Sequence, residues 1–173
     1  MPLSRKLPWE RLCLLSETSW DGSRKGTKEN GVAENVNSRL ILGKVGLDAH
    51  DMGPRILARG LRDEGVEVIY LGLRCTPEEI IQAAIQEDAQ VIGISSYCGG
   101  HIPYAKTIMT MLKRSGLDKD KAVIFGGVIP RQDIATLRDI GVDRVFMPED
   151  SIADVANYVK ARAGDSKSGP VAS

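Results

Sequence analysis

Histidine is scarce in this chain: 173 residues contain two, His50 and His101. Cysteine is scarce as well, with Cys13, Cys75 and Cys98 far apart and no CxxC pair. An odd, unpaired set speaks against a secreted disulfide framework and for reduced thiols in the cytoplasm. The same scatter speaks against a tetrahedral zinc site, which needs clustered donors at short spacing. Net charge is also missing, since Lys+Arg and Asp+Glu are equal at 23 each. A nucleic-acid surface would show a basic excess, so none is expected. Charge neutrality leaves association between chains unopposed. No apolar run approaches the ~18–20 residues that span a bilayer. The first residues, Met1 to Lys6, lead into Trp9-Glu10-Arg11 and not into an apolar core segment, so no signal peptide is read. No G-x-S-x-G, Walker A or G-x-G-x-x-G pattern occurs, which argues against a serine hydrolase and against those modes of nucleotide binding.

What remains is a chain that is 42% hydrophobic and long enough for one compact domain with tails. Residues 1–38 read as a polar arm. Trp9, Leu12, Leu14 and Leu15 within it suit either a short docking helix or an unstructured tail. Residues 164–173 are small and polar and read as a disordered tail.

Between them, apolar runs alternate with helical spacing. Strands are expected at Leu40–Val45, Val66–Leu71, Val91–Ser95, Ala122–Phe125 and Asp143–Phe146. Helices are expected over 54–64, from Thr76-Pro77-Glu78-Glu79 onward, and over 103–114, 131–140 and 151–162. Thr76 and Glu79 carry a capping-box signature, with Pro77 in the first turn. Short strands that are apolar throughout are buried on both faces, which implies a parallel sheet. Right-handed crossovers then give an α/β doubly wound five-stranded sheet, for which the flavodoxin-like order 2-1-3-4-5 is one of two common choices and the one expected here. Such sheets bind ligands at the carboxyl ends of their strands, so the loops after strands 1, 3, 4 and 5 are where chemistry is sought.

The loop after strand 1 reads Lys44-Val45-Gly46-Leu47-Asp48-Ala49-His50-Asp51-Met52-Gly53. An imidazole at the ligand edge is a good nitrogen donor to a transition metal. Asp48, two residues earlier, is spaced to hydrogen-bond the far ring nitrogen, and Lys44 to orient Asp48. The spacing alone equally fits a loop histidine and a capping aspartate with no ligand. A metal site with one protein ligand makes sense where a macrocycle supplies the others. After strand 3 comes Ser95-Ser96-Tyr97-Cys98-Gly99-Gly100-His101, and after strand 4 Gly126-Gly127. Glycines there let a bulky group approach the backbone, or simply make turns. Cys98 reads as a small packed side chain and His101 as a helix-start or surface residue.

In order and on these loops, Asp48-x-His50-x-x-Gly53, Ser95-x-Tyr97 and Gly126-Gly127 resemble the D-x-H-x-x-G, S-x-L and GG set of cobalamin (B12)-binding domains. The expected cobalamin-binding domain is 39–163, and its text over roughly residues 39–162 is similar to the small subunit or C-terminal domain of methylmalonyl-CoA mutase-type enzymes, in stretches such as Tyr70-Leu71-Gly72-Leu73 and Thr76-Pro77-Glu78-Glu79. Two positions depart from the pattern. Tyr97 stands where the family has leucine, and Pro148-Glu149-Asp150 where it often reads P-G-T, which sets carboxylates near the cofactor's tail.

The resemblance implies adenosylcobalamin bound base-off, with His50 as the lower ligand to cobalt and Lys44 and Asp48 behind it. It implies cofactor contacts from Asp51, Met52, Gly53, Ser95, Tyr97, Gly99, Gly126, Gly127 and Phe146. It also implies an acyl-CoA mutase acting on methylmalonyl-, isobutyryl- or 2-hydroxyisobutyryl-CoA. In that enzyme this chain would be the small subunit of a hetero-oligomer, inactive without a TIM-barrel large subunit that binds the acyl-CoA. A corrinoid methyl carrier and a cobalamin-sensing module are the alternatives. The first usually carries a four-helix cap before the sheet, and the second a DNA-binding element. Neither is evident in the 38 polar residues ahead of strand 1.

Overall fold

The computed structural model describes residues 38–165. The arm with Trp9 and Trp20 therefore lies outside the described residues, as does the chain beyond Asp165. Five strands, β1 (Arg39–Val45), β2 (Glu67–Cys75), β3 (Val91–Ser96), β4 (Ala122–Gly127) and β5 (Arg144–Phe146), alternate with five helices. These are α1 (Met52–Asp63), α2 (Pro77–Gln86), α3 (His101–Arg114), α4 (Asp133–Ile140) and α5 (Ile152–Asp165). All strand pairs are parallel, and the sheet order is β2-β1-β3-β4-β5.

Alternation along the strands sends side chains to two cores. Ile41, Ile92, Ile94, Val123 and Phe125 face α2, α3 and α4, through Ile80, Ile108, Leu112 and Leu137. Leu40, Leu42, Val91 and Ile124 face α1 and α5, through Leu61, Val155 and Val159. The chain leaves β1 by α1 on one face and reaches β3 by α2 on the other. Loops after β1 and β3 therefore part at the carboxyl edge and open a crevice there.

Local chemistry sets the element ends. Thr76 caps α2, its hydroxyl accepting from the Glu79 N–H at 3.2 Å while the Glu79 carboxylate accepts from the Thr76 N–H at 2.9 Å. α1 begins at Met52, two residues earlier than the apolar spacing suggests. Pro54 is tolerated there because first-turn N–H groups have no helical partner. β2 runs to Cys75, beyond the expected Leu71. Positive φ at Gly72 and Arg74 and register shifts around Gly43 let the strand bend and keep pairing with β1. α5 continues to Asp165, so the expected tail from 164 starts inside a helix. Among the described residues no helix is long and apolar enough to cross a membrane.

Gly127 closes the β4 end against β3. Its φ is +121°, and a Cβ there would lie 2.1 Å from the Ser96 carbonyl oxygen. The fold itself forbids a side chain at this position. Gly127→Ala should therefore cost about 2–4 kcal/mol in urea unfolding, from left-handed strain and overpacking together, with no ligand present.

Candidate functional site

Asp48 is the hub of the carboxyl edge. It is 8% exposed, and its Oδ2 pairs with Nζ of Lys44 at 2.7 Å, a lysine that is 1% exposed. The same oxygen accepts from the Tyr97 N–H at 2.8 Å, which ties the β1 loop to the β3 loop. Oδ1 accepts from the His50 backbone N–H at 3.1 Å and faces His50 Nδ1 at 2.8 Å. Lys44 also reaches Ser95 Oγ at a longer 3.4 Å. Burial pushes the Asp48 pKa up. The Lys44 ammonium, the His50 N–H, the His50 ring and the Tyr97 N–H outweigh it and hold the carboxyl well below the usual carboxylate range.

An ionised Asp48 accepts at Nδ1, so the His50 proton sits on Nδ1 and the lone pair on Nε2. The ring is 56% exposed, and its centroid lies 4.1 Å from that of Tyr97, tilted by 31°. A half-exposed imidazole with one nitrogen held by a buried carboxylate is the arrangement that fixes a ring for metal ligation.

His50 stands on the wall of a cavity of about 740 Å³ between the loops. Of the residues singled out from sequence, Lys44, His50, Asp51, Met52, Gly53, Ser95, Tyr97, Gly126, Gly127 and Phe146 line it. Asp48 stands behind His50. Gly99 is not part of the lining; it makes the turn before α3, its carbonyl accepting from Ser96 Oγ at 3.3 Å. The sequence reading missed the apolar far wall, which Ile56, Leu57, Ile152 and Val155 supply from α1 and α5. The only signal for them was helical spacing, which reads as core.

The two glycines after β4 differ. A Cβ on Gly127 strikes protein, whereas one on Gly126 meets nothing closer than 3.7 Å. Gly53, in the first turn of α1, has nothing within 4 Å of a Cβ. No protein atom requires glycine at position 53 or 126, and both line the cavity.

The structure overturns the reading of Cys98, bears out His101 as a helix start while burying it, and pairs both carboxylates of the 148–150 segment, where Asp150 lines the cavity. Cys98 is exposed, not packed, with Sγ 3.5 Å from His50 Nδ1. His101 is buried at the start of α3, with Nε2 2.9 Å from Asp133 Oδ2, and it does not line the cavity. The Glu149 carboxylate is paired with Arg131, and that of Asp150 accepts from the Met147 N–H at 2.6 Å. Both charges in the departed segment thus have partners within the protein.

A family model described as the B12 binding domain matches residues 38–156. The chain belongs to the B12-binding domain family. It is 43% identical over 128 residues to the 2-hydroxyisobutanoyl-CoA mutase small subunit of Aquincola tertiaricarbonis, covering 72% of this chain and 93% of that protein. It is 40% identical over 112 residues to ethylmalonyl-CoA mutase of Cereibacter sphaeroides, covering 65% of this chain but 17% of that one. Among solved structures, a cobalamin-binding protein from Desulfitobacterium hafniense superposes with a TM-score of 0.62 at 23% identity. That match covers 72% of this chain and 58% of the other and shows the common fold.

Cobalamin is the cofactor of the B12-binding domain family, and the residues here fit it. One oriented imidazole, a large and mostly apolar cavity, and two glycines on its wall that no close protein contact demands suit a macrocycle that brings its own four nitrogens.

Two outcomes follow from the geometry. Asp48→Asn leaves the Lys44 ammonium buried without its charge and should cost about 3 kcal/mol in urea unfolding at pH 7. A depressed carboxylate contributes stability fully above its unfolded pKa of ~3.9, and loses it as pH falls through the lower folded value. The deficit should therefore stay constant from pH 7 to about pH 5 and narrow only below about pH 4. Gly53→Ala should keep or raise stability, by up to about 1 kcal/mol. In an absorbance titration it should weaken cobalamin binding by roughly 10- to 100-fold, the effect of 1–3 kcal/mol of overlap.

Proposed function

We propose that this chain is the cofactor-carrying small subunit of an adenosylcobalamin-dependent acyl-CoA mutase, and that His50 is the lower ligand to cobalt in a base-off, His-on complex. One observation carries the reading: His50 is held at the cavity by a buried, ionised Asp48 that is itself held by Lys44. When bound, cobalamin supplies a cobalt–carbon bond whose homolysis starts a carbon-skeleton rearrangement.

The chain's own residues position and exclude. Asp48 holds Nδ1 of His50 and so presents Nε2 to the metal. Lys44 keeps Asp48 ionised and fixed. Gly53 and Gly126 leave room for the cofactor's displaced base and tail, while Ser95, Tyr97 and Phe146 line their path. Asp51 and Met52 line the cavity from the start of α1, and Ile56, Leu57, Ile152 and Val155 keep its far wall dry.

The acyl-CoA is handled by a partner. The match to a small subunit over nearly its whole length, and to a longer mutase over 17% of its length, supports a separate large subunit that supplies the rest. We assign to it a TIM barrel that binds the acyl-CoA, and we place the pair in the cytoplasm. Leu47, 90% exposed, and Val128, 53% exposed, sit on the loops around His50 but outside the cavity lining. Exposed apolar side chains at that rim suit docking against the large subunit. A branched substrate of the 2-hydroxyisobutyryl type is favoured by the small-subunit relative.

The test is reconstitution with the large subunit of such a mutase, adenosylcobalamin and a branched acyl-CoA. Isomer should form only when both chains and the cofactor are present, and His50→Ala should abolish it. Leu47→Asp should weaken association of the subunits by about 10-fold or more. Isomerisation by the large subunit and cofactor without this chain would contradict the assignment.

A further inference from the structure

We propose that Cys98, His50 and Asp48 form a site for a zinc-class divalent cation when cobalamin is absent, and that this cation and cobalamin exclude each other. The idea rests on the reading of His50 as the cobalt ligand. It adds a second, competing occupant of the same loops.

The donors are already gathered. One ligand atom from each of the three residues lies within 4.8 Å of the others. Cys98 Sγ is 3.5 Å from His50 Nδ1 and 3.7 Å from Asp48 Oδ1, and Nδ1 is 2.8 Å from Oδ1. With Zn–S of ~2.3 Å and Zn–N or Zn–O of ~2.0–2.1 Å, donors around a tetrahedral zinc stand ~3.3–3.6 Å apart. The two edges that include sulfur are therefore close to metal-ready. The nitrogen–oxygen edge is short because a proton lies between the two atoms. Replacing that proton with a metal opens it by about 0.5 Å.

The surroundings favour the exchange. Lys44 and the Tyr97 N–H hold Asp48 through Oδ2, while Oδ1 keeps the His50 backbone N–H and turns the lone pair that now faces Nδ1 to the cation. His50 and Cys98 are exposed, so the cation enters from solvent and water completes its fourth position. On binding, the Cys98 thiol proton leaves to solvent as the metal–sulfur bond forms. His50 gives up its Nδ1 proton and takes one at Nε2.

The exclusion follows from that last step. A neutral imidazole has one lone pair. With the cation on Nδ1, Nε2 carries hydrogen and has nothing to offer cobalt. With cobalt on Nε2, the Nδ1–H returns to Asp48. Neither occupant needs to touch the other; the tautomer of one ring decides between them.

Full-length, cobalamin-free protein tests this. Titration with Co²⁺ in place of Zn²⁺ should give a thiolate-to-cobalt charge-transfer band that saturates at one equivalent and is missing in Cys98→Ala. Zn²⁺ affinity, measured against a chromophoric chelator, should fall by about 100-fold or more in that variant. In wild type, Zn²⁺ at about 100 times its own Kd should raise the apparent Kd for cobalamin roughly 100-fold; the same concentration should change that of Cys98→Ala by no more than about twofold. Cobalamin binding by wild type without zinc reports on His50 separately, so the two readings fail independently. Absence of the band, a band unchanged in Cys98→Ala, or a cobalamin affinity indifferent to zinc would overturn the proposal.

Discussion

A lysine that is 1% exposed has to be neutralised where it stands, and Asp48 at 2.7 Å does so for Lys44. Two charges taken out of water are stable only if their remaining hydrogen-bonding capacity is filled. The arrangement of the whole carboxyl edge follows from filling it. The second valence of Oδ2 goes to the Tyr97 N–H, 49 residues along the chain, and so fixes where the β3 loop passes. Oδ1 goes to the backbone and ring of His50. The pair stabilises a geometry more than it adds net stability. It turns two loops, which elsewhere are the soft parts of a fold, into a rigid holder for one imidazole.

The sheet makes this possible by topology. β1 lies inside the sheet, between β2 and β3, and its outgoing helix α1 packs on the face opposite α2. Lys44 is the last buried residue but one of β1, and Ser95 is its register partner on β3. The charged relay therefore begins inside the sheet and ends at its rim. The glycines divide accordingly: Gly127 is demanded by the Ser96 carbonyl, whereas Gly53 and Gly126 line the cavity and would accept a Cβ without a close protein contact.

The alternating strands and helices and the Lys44–Asp48–His50 relay were legible in the sequence, because periodicity and i, i+2 and i, i+4 spacing act over short range, whereas the strand order rested on the common orders of doubly wound sheets and on the family resemblance. β2 was read short because Gly72 looks like a stop, while paired to β1 it is a bend. The apolar far wall was read as core because a helix face that lines a cavity has the same spacing as one that packs on a sheet. Cys98 was misplaced, and the burial of His101 at its helix start went unread, for a different reason. Their surroundings are set by Asp48 and Asp133, which lie 50 and 32 residues away. Likewise, the carboxylate of Glu149 looks free in sequence and finds Arg131 only once β4 and β5 are side by side. Long-range pairing of polar groups leaves no local pattern to read.

The central claim is that a protein imidazole, not the cofactor's own base, ligates cobalt. The most direct measurement is the EPR spectrum of cob(II)alamin bound to protein grown with ¹⁵N-labelled histidine. A two-line nitrogen splitting on the cobalt signal, lost in His50→Ala, is the predicted result, since spin-½ ¹⁵N gives doublets. A three-line splitting that ignores the label would mean that the unlabelled base of the cofactor still holds the metal. The relay built on Lys44 and Asp48 would then be a structural brace with no ligand to serve.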